Sequence, residues 1–172
     1  MKALVLVDIQ RGLTKRKDLY NEKGFLDAVN SAINAYRDSN SKIIFLQHTN
    51  KLLQEGTSEW EIDSRIDKQE HDLIIQKKHG NGFQKTNLKQ MLLDLKIDSI
   101  TVGGLVSHGC VKATCLGGLA GGFETSLLKH GHTNWNRDAE HNITLTEKEL
   151  IEKGVLLDTV SDKSLYKKAS GS

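Results

Sequence analysis

Apolar residues occur along the chain in short unbroken runs that alternate with stretches of three-to-four spacing. ALVLVD, Ala3 to Asp8, is an aliphatic, β-branched run closed by a carboxylate, the pattern of a strand covered on both faces of a parallel sheet. KIIFLQH (Lys42 to His48) repeats it, DLIIQK (Asp72 to Lys77) is a shorter version, and SITVGGL, FETSLLK and VLLDTV supply three more strands. Between them, Phe25, Leu26, Val29, Ala32, Ile33 and Tyr36 fall on one face of a helix that Asn40 stops. NLKQMLLDLKI (Asn87 to Ile97) predicts a second helix, and CVKATCLGGLAGG (Cys110 to Gly122) a third, made of small residues and ended by glycines. A fourth is predicted near TEKELIEKG, with Thr146 as N-cap and Glu149 closing a capping box. Residues 49–70 are polar and read as loop and lid, and NRDAEHNITL (136–145) stays open between short helix and loop. Strand and helix in alternation predict one α/β domain, a three-layer sandwich around a mostly parallel, doubly wound sheet.

Composition narrows the picture. The 172 residues suffice for one core, which we place at residues 1–160, with a basic C-terminal tail at 161–172. A formal charge of +2 from 24 basic and 22 acidic residues provides no field for nucleic acid. The first apolar run ends at Asp8 after five residues, too short for a signal core or a membrane span. Cys110 and Cys115 are five apart and match neither a disulfide framework nor a CxxC pattern, so the reading is a cytoplasmic protein with free thiols. Proline is absent, which leaves Gly, Asn and Asp as punctuation.

Ligands of an open parallel sheet bind beyond the carboxyl ends of its strands. Asp8, the pair Lys77/Lys78 and Cys110 all lie at such ends. A thiol at a helix N-terminus beside a cation has a lowered pKa and attacks carbonyls; a carboxylate can take its proton and return it to a leaving amine. Gly109 removes bulk beside the thiol, and backbone amides there can face an oxyanion. No GxGxxG follows the first strand, which argues against NAD, and Cys115 reads as a packed thiol.

LVLVDIQ, IIQKKHGNGFQKTNL and VGGLVSHGCVKATCLGG, in this order, resemble the isochorismatase-like cysteine hydrolases over residues 1–160. The resemblance implies a Rossmann-like fold, an Asp–Lys–Cys triad, a thioester intermediate in amidase members, and a non-proline cis peptide that turns an amide into the oxyanion hole. By motif position these fall on Asp8, a lysine of the pair, Cys110 and the Leu105–Val106 bond, with Val106 and Cys110 as oxyanion amides. The family lysine stands six residues before the Phe of its motif; counting back from Phe83 selects Lys77. Gln10, Trp60 and Phe83 are the candidate substrate contacts, Trp60 as a flat wall on the lid near a subunit interface. Homo-oligomers, dimeric or tetrameric, are implied.

Two departures matter. Metal-dependent nicotinamidases resembling this fold carry Asp-x-His after the second strand, where this chain has Gln47 and His48, so no metal and no cofactor are expected. After the fifth strand His130 stands where the family commonly has Asp, with loss of that carboxylate. The resulting expectation is a metal-independent cysteine hydrolase cleaving a C–N amide bond of a small molecule. Vinyl-ether hydrolysis of the isochorismate type, with Asp8 as acid, and a binding or assembly module without turnover are the alternatives.

Overall fold

The structure is a computed structural model that describes residues 1–135 and 137–162; the C-terminal tail expected from 161 therefore lies almost wholly outside the described residues. Six strands form one sheet: β1 (Lys2–Val7), β2 (Lys42–His48), β3 (Leu73–Lys77), β4 (Ser99–Leu105), β5 (Glu124–Thr133) and β6 (Leu156–Asp158). Their order is β3-β2-β1-β4-β5-β6 and every pairing is parallel. The chain runs outward from β1 to one edge and then returns to β4, so the switch in strand order lies between β1 and β4.

Helices cover both faces. Helix α2 (Glu22–Asp38) buries Phe25, Val29, Ala32, Ile33 and Tyr36 against Leu4, Leu6, Ile43 and Phe45, one face of the sheet. Helices α3 (Leu88–Asp94), α4 (Lys112–Ala120) and α5 (Ala139–Glu152) bury Leu88, Leu92, Cys115 and Leu150 against Val5, Val7, Ile44 and Val102, the other face. Side chains alternate along a strand, so each central strand feeds both cores and reads as continuously apolar. A one-turn helix α1 (Arg11–Thr14), unsignalled by periodicity, follows β1.

Three local expectations are corrected. Thr146 is no N-cap: it lies buried inside α5, which Asp138 begins, so 139–145 are helical. Glu149 closes no capping box but pairs with Lys112 across α4 and α5. The helix expected from Cys110 begins earlier, with a π-helical turn Ser107–Val111 in which Gly109 departs from helical geometry (φ −112, ψ −111). Asn40 does mark the end of α2, taking φ +57 two residues beyond it.

Residues 49–72 contain no regular element; Glu59–Asp63 bond to the residues that follow β1, and residues 65–72 return along α2 through Asn30 and Arg37. Gln10 pairs with Ile62 in an isolated bridge, and Asp63 accepts from Thr14 Oγ1 at 2.6 Å and from Arg65 Nη2 at 2.7 Å. Burial alone would raise the Asp63 pKa, but the Arg65 and Thr14 hydrogen bonds outweigh it and bring it down to about 2. A depressed carboxylate contributes stability above its unfolded pKa and loses it as pH falls toward the folded value. The segment should therefore open to pepsin as pH falls from about 4 to about 2, and Asp63→Asn should be nicked by proteases already at neutral pH.

Gly104, at φ +122, lies so close to β1 that a Cβ would sit 2.1 Å from the Val7 carbonyl oxygen. Gly104→Ala should cost about 2 kcal/mol or more, read as a fall in Tm of roughly 4–8 °C.

Candidate active site

β1 ends at Asp8, which takes a left-handed backbone conformation (φ +55) that Asp tolerates better than most residues. β2 and β3 run beside it in register, His48 opposite Lys77. Alternation along β3 turns Ile75 and Lys77 inward while Ile74, Gln76 and Lys78 are exposed. Lys77 is 2% exposed and Asp8 4% exposed. Of the two lysines, Lys77 is thus the one that enters the crevice.

The ammonium of Lys77 lies 3.1 Å from Asp8 Oδ1 and 3.2 Å from Oδ2, donates to the His79 carbonyl at 3.1 Å, and stands 2.8 Å from His48 Nδ1. Those partners hold His48 Nδ1 as an acceptor. Burial first, and then the Lys77 charge, push the His48 pKa below the usual imidazole range. His48 closes β2, so its place in the sequence carries the same strand-end signal as Asp8 and Lys77.

Cys110 is half-buried, and its Sγ, an Asp8 carboxylate oxygen and a His48 ring nitrogen lie within 4.8 Å of one another. β4 carries it there through Gly103 and Gly104, and the Leu105–Val106 peptide is cis. A Cβ on Gly109 would meet Val106 Cγ2 at 2.8 Å, so glycine keeps the turn beside the thiol narrow. Asp8 Oδ1 is buried and has the Lys77 ammonium at 3.1 Å, and the Cys110 thiol is a second donor beside the carboxylate.

One electrostatic expectation is reversed. Burial, then the Asp8 charge, push the Cys110 thiol up to about 11, and Lys77 offsets only part of this. Asp8 is raised too, by burial first, with Lys77 opposing. Burial thus favours the protonated thiol, while at Asp8 the Lys77 charge favours the ionised form against the larger effect of burial. Cys115, as expected, is a packed thiol, which burial raises to about 12.

The candidate substrate contacts lie apart from this cluster. Gln10 is fully buried and its amide serves the chain itself: Nε2 donates to the His48 and Trp60 carbonyls, both at 2.9 Å, and Oε1 accepts from the His48 N–H at 2.9 Å. Trp60 donates Nε1 to Thr49 Oγ1 and lines a 610 Å³ cavity with Ile62, Ile66, Ile74 and Gln76, on the sheet face opposite Lys77. Phe83, partly buried, stacks on Phe123 with centroids 5.9 Å apart, against the edge of the core. His130, where the family commonly has Asp, has its Nε2 2.7 Å from Asp162 Oδ1.

A switch-point crevice holding a carboxylate, a lysine and a thiol invites comparison with known proteins. The isochorismatase domain family matches residues 2–151. The chain belongs to that family. It is 36% identical to an N-carbamoylsarcosine amidase of an Arthrobacter species over 83 residues, covering 44% of this chain and 31% of that protein. It is 26% identical to the secreted isochorismatase effector Isc1 of Verticillium dahliae over 131 residues, 73% of this chain and 69% of that protein. A crystal structure of an isochorismatase family protein superposes with a TM-score of 0.87 at 26% identity, covering 92% and 98% of the two chains. A pyrazinamidase of Pyrococcus horikoshii, solved in complex with zinc, superposes with 0.81 at 20% identity, covering 92% of this chain and 98% of that one. The isochorismatase-family relatives include named hydrolases and amidases, and this chain is a hydrolase of that family.

Zinc in that neighbour raises the question of a metal here. Asp8, His48 and Cys110 are the one metal-capable group of three found among the described residues. They do not fit a dication: the Lys77 ammonium stands 2.8 Å from His48 Nδ1 and contacts both Asp8 oxygens, so an ion would meet a buried cation on its own ligands.

Replacing Asp8 by Asn removes the charge that disfavours the thiolate, so Cys110 should react with iodoacetamide roughly tenfold faster at about pH 8. Slower labelling in Asp8→Asn would overturn this electrostatic account.

Proposed function

We propose that this isochorismatase-family hydrolase is a cysteine amidohydrolase that cleaves a C–N bond of a small amide, carbamoyl groups included, through an acyl-thioester on Cys110. The observation that carries the reading is the buried cluster of Asp8, Lys77 and the Cys110 thiol at the strand-switch point. In the first half-reaction the thiol proton passes to Asp8 as the sulfur bonds to the carbonyl carbon. The carbonyl oxygen becomes an oxyanion facing the amides of Val106 and Cys110. As the C–N bond breaks, Asp8 returns that proton to the departing nitrogen, leaving a thioester and a neutral amine. Water then attacks the thioester, losing its proton to Asp8, and the sulfur leaves to regain it, releasing a carboxylic acid.

A thiol raised to about 11 suits this order of events, because deprotonation is coupled to attack rather than preceding it. Lys77 holds Asp8 in place through contacts with both carboxylate oxygens, so its role is to position and no step is routed through a metal. The amidase name carried by one relative supports the bond class. Gln10 and Trp60 act through the lid: Gln10 ties it to β2, and Trp60 walls the neighbouring cavity. The two thiols suit a reducing cytoplasm, and a homo-oligomer, checked by sedimentation, completes the proposal.

Ammonia release from a panel of small primary amides and carbamoyl compounds tests the reading. Cys110→Ala should lower kcat by at least about a thousandfold, while Cys115→Ala should keep it within roughly threefold, since it alters only packing. Asp8→Asn should lose turnover even with a more reactive thiol, because the leaving nitrogen gets no proton. Turnover surviving in Cys110→Ala would overturn the thioester and favour acid chemistry at Asp8.

A further inference from the structure

The turn that carries Cys110 is held from behind by polar side chains that the reaction above does not use. Ser107, fully buried, opens the turn three residues before the thiol. Its Oγ lies 2.7 Å from His132 Nδ1, and His132 Nε2 lies 3.1 Å from Glu147 Oε1 on α5. Asn134 Nδ2 donates to the same Ser107 Oγ at 3.4 Å. A register shift in β5 opposite Val102–Gly104, with His130 at φ +67, places His132 beside Gly104; such irregularities re-aim a side chain.

The hydrogens of this chain can be assigned. The Glu147 carboxylate accepts, so His132 Nε2 carries a proton; Asn134 donates to Ser107 Oγ; the Ser107 hydroxyl hydrogen is left with His132 Nδ1 as acceptor. All three bonds are satisfied with a neutral ring. A second proton on His132 would turn Nδ1 into a donor, aim two donors at Ser107 Oγ, and leave the buried hydroxyl hydrogen without its acceptor.

We propose that Glu147, His132 and Ser107 are a positioning relay: with His132 neutral they fix the turn from Val106 to Cys110, and protonation of His132 loosens it. Ser107 Oγ is too deeply buried to meet substrate, so these are positioning residues and not a second nucleophilic triad. The proposal rests on the reading of Cys110 as the nucleophile. The titratable groups around His132 are Glu147 and Glu140 of α5, Lys129 and His130 of β5, and Tyr20, which line one 250 Å³ cavity, with Asp162 Oδ1 2.7 Å from His130 Nε2. The Lys112–Glu149 pair joins α4 to α5 nearby.

The test needs no substrate. A dipyridyl disulfide, which reacts with thiols down to acidic pH, is applied from about pH 8 to about pH 5, the interval in which histidines exchange protons. The labelled cysteine is then mapped. In His132→Asn an amide oxygen can accept the Ser107 hydrogen and does not titrate, so at about pH 8 Cys110 should label within roughly twofold of wild type. His132→Ala and Ser107→Ala should be roughly five- to tenfold slower. The ratio of wild-type to His132→Asn rates should stay near one at about pH 8 and fall to about a third or less at about pH 5. A ratio flat with pH, or His132→Ala labelling like wild type while melting lower, would reduce the chain to packing and overturn the relay. The His132→Asn ratio decides alone if the alanine variant does not fold. Wild-type Cys110 labelling no faster than Cys115 would instead overturn the nucleophile assignment, and the relay with it.

Discussion

Everything at the carboxyl edge of the sheet is arranged around one buried ion pair, Asp8 with Lys77. Two charges withdrawn from water are tolerated only where geometry returns what hydration supplied; removing one partner of such a pair costs about 3–5 kcal/mol. Lys77 obtains that return from both Asp8 oxygens, from His48 Nδ1 and from the His79 carbonyl. The pair also spans the sheet. Asp8 ends β1 and Lys77 ends β3, with β2 between them, so the parallel register of three strands must hold for the two charges to meet.

The thiol is placed against this pair by the other side of the switch point. β4 can approach β1 closely because Gly104 has no Cβ, and the turn beyond it brings Cys110 back over Asp8. The same burial that keeps water from the ion pair raises the Cys110 thiol and Asp8 alike, with Lys77 opposing in both.

The polar segment after β2 closes the edge by hydrogen bonds more than by apolar packing. Gln10 stands in for a strand residue, bonding the His48 and Trp60 backbones, while Asp63 ties the segment to Thr14 and Arg65. Trp60 is thereby fixed beside the β3 edge, in a cavity that Ile74 and Gln76 help to line.

By itself the sequence determined the strands and helices whose cores are continuous, because burial on both faces writes an unbroken apolar run: β2 and β4 match their runs residue for residue. Alternation along a strand showed that only one of Lys77 and Lys78 faces inward, the family motif counted back from Phe83 chose Lys77, and the sequence brought Asp8 and Cys110 to strand ends that a parallel sheet must align. What depends on contacts between distant segments was not legible. Thr146 carries a capping pattern, yet α5 begins seven residues earlier, because Ala139 and Thr146 are buried by packing that local spacing does not encode. The thiol was expected to be acidified by its helix and lysine; only the folded structure showed that burial and Asp8 outweigh both, because desolvation is a property of everything packed around a group. Ser107, His132 and Glu147 lie 25 and 15 residues apart along the chain, and a register shift in β5 aligns them, so their chain of hydrogen bonds exists only in the tertiary fold.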